Sequence, residues 1–464
     1  MKKSNYVNGL DIGNGQESEN EAAVNSFDRT KGDQHALNSP PLSSVWRPAS
    51  DDPILPSLLS AHLSDTFAAS DLDLVCFSHL RWDFVYQRPQ HLLTRVGLKR
   101  RVFFIEEPVF DHGSMRLEVS ERGAGIHVCT PHLPQGLLSS VATEAVERAM
   151  IDRLFAERGI RQFVAWYYTP MALRFSRHLS PLATVYDCMD ELSLFKNAPP
   201  ALREREGELL SRADVVFTGG QSLYEAKRAQ HANMHPFPSS IDRAHFAQAR
   251  EPINEPEDQQ AIAHPRFGFF GVIDERFDIE LLDQIAAMRP TWQFVMIGPV
   301  VKINVASLPR RANIHYLGAK SYEELPAYLA GWEAALLLFA RNDATRFISP
   351  TKTPEYLAAG KPVISTSIRD VVRPYGEQGL VHIADAPEEF VRAAETALTA
   401  TAEERVAWLR RVDDFLAHNS WDETWERMSG FIDEAIWQRR REMFVAPKAA
   451  RVSAAAASTA RANN

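Results

Sequence analysis

The sequence Ile348-Ser-Pro-Thr-Lys-Thr-Pro-Glu-Tyr-Leu-Ala-Ala-Gly-Lys-Pro-Val-Ile-Ser-Thr366 decides the fold. Thr353 is suited to cap a short helix that starts at Pro354, and Gly360 is suited to end it. The apolar run 362–364 then predicts a short buried strand. This order of a loop, a helix, a tight turn and a strand is typical of α/β proteins that bind ligands at strand ends.

The predicted helix start is suited to an anionic group. The first turn of a helix carries unpaired N–H groups and a partial positive charge, and Lys352 lies beside it. We therefore predict a phosphate site formed by Thr351, Lys352 and Thr353. Glu355, in the first turn, is placed to accept hydrogen bonds from ribose hydroxyls. The alternative is an ordinary capped helix with a surface lysine.

This segment resembles the nucleotide-sugar site of GT-B glycosyltransferases, especially enzymes of the teichuronic-acid and capsular-polysaccharide type. In related retaining families two glutamates flank seven residues. Glu355 matches the second, but Phe347 stands at the position of the first. This departure weakens the expectation of a retaining mechanism.

Composition and charge favour a cytoplasmic protein. The 464 residues carry a net charge of −9 without a basic cluster that would indicate nucleic-acid binding. Cys76, Cys129 and Cys188 have neither metal-site spacing nor a disulfide pattern. No apolar stretch is long enough to span a bilayer. Any membrane contact is expected to be peripheral, at the inner face.

The alternation of strands and helices predicts two Rossmann-like domains that face a cleft, with disordered tails at both ends. The predicted segments are a leader (1–70), an acceptor domain (71–248), a linker (249–265), a nucleotide-sugar domain (266–416), a crossover helix that packs back on the first domain (417–445), ending near Arg440, and a tail (446–464).

In the first domain, a strand–loop–helix–strand unit covers about residues 74–106, and ligands of such sheets bind at the carboxyl ends of the strands. The run Ser78–Leu92 resembles the same glycosyltransferases. The predicted acceptor-side residues are His79, Arg81, Trp82, Asp83, Arg88 and Glu107, with Tyr168 in an aromatic platform. The alternatives are a loop whose charges pair with each other and ordinary packing of core aromatics.

Three carboxylates follow the strand 184–186, and the resemblance places a catalytic aspartate there. An inverting transfer needs a base for the acceptor hydroxyl. We assign this role to Asp190, with Asp187 as the second candidate, which could instead be a structural acceptor. The alternative is a solvated loop in which Asp190 caps a helix.

In the second domain, the resemblance implies a glycine and a basic residue near the donor diphosphate. Gly271 and Arg276 match these types, although Arg276 could instead pair with Asp278 or Glu275. Tyr316 lies where related enzymes recognise the base through backbone groups. Gly219-Gly220 permits close backbone approach to a ligand.

The resemblance as a whole implies a glycosyltransferase (EC 2.4) of polysaccharide biosynthesis. It would use a nucleotide-diphosphate sugar, most simply a UDP-sugar, without a metal or other cofactor. The acceptor would be a glycan, a lipid-linked molecule or another hydroxyl compound. A nucleotide-sugar epimerase of the same two-domain plan and a catalytically silent nucleotide-sugar-binding protein remain as alternatives.

Overall fold

The computed structural model describes residues 72–137 and 142–461, with side chains described as far as residue 441. The predicted leader, 1–70, lies outside these residues.

A sheet of nine strands occupies residues 73–236, which we call the first lobe. Its order is β3-β5-β2-β1-β6-β7-β8-β9, with β4 paired to β5. The strands are β1 Asp73–Phe77, β2 Val102–Ile105, β3 Val109–Asp111, β4 Arg116–Glu121, β5 Ile126–Pro134, β6 Phe163–Tyr167, β7 Ala183–Cys188, β8 Val215–Thr218 and β9 Met234–Pro236. All neighbours are parallel except β4 and β5. Helices cover the central strands, which are therefore mainly apolar.

A second, fully parallel sheet of six strands belongs to residues 266–416, the second lobe. Its order is β12-β11-β10-β13-β14-β15. The strands are β10 Arg266–Phe270, β11 Gln293–Ile297, β12 Ile314–Gly318, β13 Ala334–Leu337, β14 Val363–Ser365 and β15 His382–Ile383. Two Rossmann-like sheets in one chain confirm the predicted fold class.

The α-helices lie between and around the strands of the two sheets. They are α1 Arg88–Gly97, α2 Ala142–Arg158, α3 Leu173–Ser176, α4 Leu202–Arg212, α5 Gln221–Lys227, α6 Arg243–Ala247, α7 Glu257–Gln260, α8 Ile279–Met288, α9 Leu325–Ala330, α10 Lys352–Ala358, α11 Arg369–Val371, α12 Pro387–Thr399, α13 Ala402–Leu416 and α14 Trp421–Arg461.

Helix α14 returns to the first lobe. Trp421, Met428, Ile432 and Ile436 are buried in one hydrophobic cluster with residues of β1 and β2. Their spacing of seven, four and four residues puts them on one face of a helix.

The backbone of α14 is helical to Arg461, past the predicted end near Arg440 and into the segment predicted to be disordered. The predicted helix end is therefore wrong. Alanine, which has the highest helix propensity, is the commonest residue of this extension.

Candidate functional site

A cleft of about 450 Å³ lies between the carboxyl ends of the two sheets, where ligands of such sheets bind. Both lobes contribute to its wall. The lining residues include Trp82, Asp83, Arg88 and Asp190 of the first lobe and Gly271, Arg276, Tyr322, Thr351, Lys352 and Glu355 of the second.

Lys352 is held over the end of β10 by two glycines. Gly271 has φ +143°, and a Cβ on it would overlap the Lys352 side chain. Gly298 has φ +136°, and a Cβ there would overlap the carbonyl oxygen of Gly271. Both positions therefore require glycine, because only glycine combines this backbone with the space. The sequence prediction that Gly271 and Lys352 share a site is consistent with this geometry.

The Lys352 ammonium makes no ion pair or hydrogen bond with any described residue, although it faces the ring of Phe269, whose centre lies 5.9 Å away. It is half-buried, and burial lowers its pKa while Glu355 raises it. Removing an ammonium from water without a partner is unfavourable. The cleft therefore contains a cation that an anionic ligand would stabilise.

Helix α10 begins at Lys352, so the prediction that Thr353 caps it is wrong. Thr351 precedes the helix, already in helical conformation, and its hydroxyl donates to Ser239 at 3.0 Å. The hydroxyl of Thr353 is buried without a partner, and its N–H donates to the carbonyl of Pro350 at 3.1 Å. Fewer free N–H groups remain than we predicted, and the cationic character of the site comes mainly from Lys352.

Glu355 lines the cleft and is only 7% exposed. Burial raises its pKa to about 7, and the charge of Lys352 opposes this rise. Its carboxyl group can therefore take up or release a proton near neutral pH.

Arg276 is paired with Asp274, not with Asp278 or Glu275. Its Nη2 lies 2.7 Å from a carboxylate oxygen of Asp274, and its Nε lies 3.0 and 3.1 Å from the two oxygens. Asp278 instead caps α8 by accepting from the N–H of Leu281. The guanidinium still borders the cleft, where Asp274 holds it in place.

Asp187, within β7, and Asp190, two residues past its end, have different surroundings. Asp187 is fully buried, and two of its oxygens accept from Arg88 at 2.9 to 3.1 Å. Asp190 is half-buried at the cleft wall. Burial raises the pKa of Asp190, and Arg276, Lys302 and Lys352 of the second lobe oppose that rise.

A buried ion pair makes Asp187 a structural residue, which corrects its assignment as a second catalytic candidate. The same pair corrects the prediction for Arg88. Its Nη1 donates to the carbonyl of Phe237 at 2.8 Å and the remaining nitrogens bind Asp187, so this guanidinium braces β7 rather than contacting an acceptor.

Two other charges predicted to contact the acceptor have protein partners. Arg81 donates to Glu106 at 2.9 Å and to the carbonyl of Pro108 at 3.2 Å. Asp83 pairs with Arg122 at 2.9 Å on the exposed rim. The backbone N–H of Trp82 also donates to Glu106, which fixes this loop. Arg81 and Asp83 therefore pair with charges outside their loop, not with each other.

The prediction for Tyr168 is wrong, whereas the prediction for Tyr316 concerned its backbone groups and stays a prediction. Tyr168 is 1% exposed and packs in the core with Trp166, so it offers no face to an acceptor. Tyr316 packs at the edge of a hydrophobic cluster behind the second sheet, and its hydroxyl donates to Pro309 at 3.3 Å. Tyr316 lies in β12, where alternation along the strand places its side chain in this cluster.

His79 and Glu107 lie just past the ends of β1 and β2. Burial lowers the pKa of His79 to about 4, and Nδ1 of this imidazole is buried without a hydrogen-bond partner. Burial raises the pKa of Glu107 to about 7. Lys302, which the sequence reasoning missed, acts electrostatically on both from the loop after β11. Its only sequence signal is a lysine soon after a predicted strand end.

The paired glycines Gly219-Gly220 meet protein rather than a ligand. A Cβ on Gly220 would overlap the carboxylate of Asp370, and one on Gly219 would overlap the backbone of Met189. Asp370 accepts from the N–H of Ser222 at 3.0 Å. Gly220 therefore lets the second lobe approach the start of α5, and Gly219 lets the backbone of Met189 pack closely within the first lobe.

Two further findings bear on function. No group of three or more His, Cys, Asp and Glu side chains in the described residues could hold a metal ion. None of the helices in the described part of the chain has the length and apolar character needed to cross a bilayer.

Comparisons with known proteins agree with this geometry. Residues 264–400 match the family model for "Glycosyl transferases group 1". The protein of Bacillus subtilis (strain 168) named "Putative teichuronic acid biosynthesis glycosyltransferase TuaH" is 23% identical over 271 residues. That alignment covers 53% of this chain and 66% of the relative, slightly less than two thirds of its length.

Solved structures show the same fold across most of the chain. A structure described as trehalose-6-phosphate from E. coli bound with UDP-2-fluoro glucose has a TM-score of 0.58 at 13% identity, covering 78% of this chain and 99% of that one. Sucrose-phosphate synthase from Thermosynechococcus elongatus also has a TM-score of 0.58, at 14% identity, covering 81% and 100%. This chain therefore has the GT-B fold, and its residues 264–400 resemble a glycosyltransferase group 1 domain.

Proposed function

We propose that this protein transfers a sugar from a nucleotide-diphosphate sugar to a hydroxyl acceptor bound in the cleft. One observation carries the proposal: the ammonium of Lys352, held over Gly271 without an ion pair or hydrogen bond to a described residue, lies in the same cleft as the carboxylate of Asp190. The cation suits a departing diphosphate, and the carboxylate suits an acceptor hydroxyl.

The second lobe would bind the donor. When the bond between the anomeric carbon and the phosphate oxygen breaks, negative charge grows on the leaving nucleoside diphosphate. Lys352 and Arg276 would stabilise this charge, and such fixed cations lower the barrier because they need no rearrangement. Glu355 would accept hydrogen bonds from the ribose. We favour a UDP-sugar and propose that the reaction needs no metal.

The first lobe would bind the acceptor. In an inverting transfer, the acceptor oxygen attacks the anomeric carbon as the nucleoside diphosphate leaves, and Asp190 takes the proton of the acceptor hydroxyl. A pKa raised by burial makes this carboxylate a stronger base. In a retaining transfer, the leaving phosphate would take that proton and Asp190 would be structural.

The acceptor class is proposed from the named relative and from charge. A teichuronic acid enzyme suggests a glycan or lipid-linked acceptor. Residues 437–461 carry six basic residues and a single acidic one, Glu442, although the chain is acidic overall. Such a segment would be attracted to anionic lipid and would bring a cytoplasmic protein to the inner face of a membrane. Co-sedimentation with phosphatidylglycerol but not phosphatidylcholine vesicles tests this contact.

The main experiment measures donor binding and turnover with purified protein and a panel of nucleotide sugars. Lys352→Ala should weaken nucleoside-diphosphate binding by roughly ten- to hundredfold, since a hydrogen bond to a charged group contributes about 1.5–3 kcal/mol. Lys99→Ala, at an exposed site on the first lobe, is the matched control. Unchanged affinity in Lys352→Ala would refute the donor site.

The same assay separates the alternatives. An epimerised sugar formed without an acceptor would identify an epimerase. Nucleotide binding without turnover across a broad acceptor panel would identify a silent binding protein.

A further inference from the structure

The loop 190–197 starts at the proposed base and is anchored at its beginning. Glu191 pairs with Lys227 at 2.6 Å, and Lys227 pairs with Glu206 at 2.7 Å. Ser193 also donates to Glu191 at 2.7 Å. The beginning of the loop is therefore fixed to α4 and α5 of the first lobe.

The other end of this loop lies against the second lobe. The ring of Phe195 faces two cations, with the guanidinium carbon of Arg276 at 5.3 Å and the ammonium of Lys302 at 5.4 Å from its centre. These cations come from the loops after β10 and β11. Positive charges at this distance from a ring are attracted to its face.

Lys302 is in an unusual conformation, with φ +61°, in the left-handed region that non-glycine residues rarely adopt. Such a conformation persists where the surroundings determine it. Its ammonium lies 4.0 Å from Glu275 and faces the Phe195 ring. The backbone of this loop thus directs a cation of the second lobe at the first.

The cations that hold Phe195 also act on Asp190. Arg276 and Lys302 are among the charges that oppose the rise in the pKa of Asp190. Asp190 and Phe195 are five residues apart in one anchored loop. A separation of the lobes would remove Phe195 from both cations and Asp190 from Lys352 together.

We propose that Phe195 is a positioning residue, which docks between Arg276 and Lys302 and thereby sets Asp190 against the donor site when the lobes are closed. This inference rests on the proposed function. It links the base to closure, so that an acceptor is deprotonated only when water is excluded from the donor.

The test compares Phe195→Ala, Phe195→Leu and Phe195→Tyr. We expect the kcat for transfer to fall roughly tenfold in the alanine variant, from the loss of two cation–π contacts. The kcat should stay low in Phe195→Leu, because leucine is apolar but lacks the ring. Phe195→Tyr should restore kcat, because it keeps the ring. Nucleoside-diphosphate affinity should change less than about twofold, since Lys352 does not touch this ring and Arg276 keeps its ion pair with Asp274. Phe155→Ala, which removes a ring packed on Phe163 in the first lobe, is the control.

A second measurement does not depend on turnover. Small-angle scattering should show a larger radius of gyration for Phe195→Ala than for the wild type and Phe195→Tyr. Lys302→Met should produce the same increase, and combining it with Phe195→Ala should add little. Equal kcat in the leucine and tyrosine variants, unchanged dimensions, or additive effects would overturn the proposal. If the radius of gyration depends on Phe195 as expected but the wild type transfers no sugar, the proposed function is refuted instead.

Discussion

Lys352 and Glu355 lie one helical turn apart, and burial shifts their pKa values in opposite directions. Burial lowers the pKa of the lysine and raises that of the glutamate to about 7, since each charged form loses water. No ion pair within 4.0 Å joins them in the described residues. The pair therefore stays available to a ligand that brings both an anion and hydroxyl groups.

The titration of Glu355 predicts a pH-dependent stability. The pKa of Glu355 is raised in the folded state. Its contribution to the free energy of unfolding is therefore complete below the unfolded pKa near 4.5 and is lost as pH rises through about 7. Between pH 5 and 8 the Tm of the wild type should fall by a few degrees relative to that of Glu355→Gln. The corresponding loss in the free energy of unfolding is on the order of 1–3 kcal/mol. Calorimetry at several pH values measures this, and a Tm difference that does not vary with pH contradicts it.

The role of Asp190 predicts a separation of binding from turnover. In Asp190→Asn the kcat for transfer should fall at least about a hundredfold, the usual contribution of a general base. Nucleoside-diphosphate affinity should persist, because Lys352 is unchanged. Steady-state kinetics and calorimetric titration check this. The control is Asp152→Asn, at an exposed position of α2. Full turnover in the asparagine variant would exclude Asp190 as the base.

At the scale of elements, the ends of β10 and β11 build the donor side. Both strands turn away through glycines, and Gly271 and Gly298 adopt backbone angles that side chains disfavour. Helix α10 then brings Lys352 across this gap. The site thus depends on two strand ends that are adjacent in the sheet but about 27 residues apart in the chain.

Gly271→Ala is predicted to act through Lys352. The added Cβ would overlap the lysine stem, so donor affinity should fall roughly as far as in Lys352→Ala, about tenfold or more. Adding Gly271→Ala to Lys352→Ala should weaken binding little further. Gly207→Ala, whose Cβ would meet nothing within 4 Å in α4, is the control. Wild-type affinity in Gly271→Ala would show that the lysine is not held there.

At the scale of the whole molecule, a few polar contacts close the lobes on each other. Asp370 of the second lobe accepts from the N–H of Ser222 at the start of α5, and Arg369 pairs with Glu225 of the same helix. A carboxylate is favourable at a helix N-terminus. These contacts therefore stabilise the arrangement of the lobes seen in this structure.

Asp370→Ala should favour the open arrangement. The N–H of Ser222 would lose its partner, which costs about 1–3 kcal/mol when the group is buried. The radius of gyration should increase, and the ratio of donor hydrolysis to transfer should rise, because water enters the cleft. Small-angle scattering measures the radius of gyration, and a product assay measures the ratio of hydrolysis to transfer. The control is Glu157→Ala, at an exposed position of α2. A closed, non-hydrolysing variant would contradict this role.

Much of the fold can be predicted from the sequence. Strands such as β1, β6 and β13 are apolar runs because helices cover both faces of a parallel sheet. Lys352, Gly271 and Asp190 could be proposed because each follows a strand end or motif. The short strand β3 and the exposed hairpin strand β4 were not predicted, since neither is an apolar run.

The sequence by itself determined which strand ends carry chemical groups, because burial and turn formation are local requirements. The tertiary structure decided which of those groups remain available. Arg88 and Asp187, 99 residues apart, neutralise each other, and Tyr168 is turned into the core. Phe195, Lys302 and Asp370 acquire their roles only by contact across the cleft. Such contacts depend on how two sheets meet, which no local pattern of residues encodes.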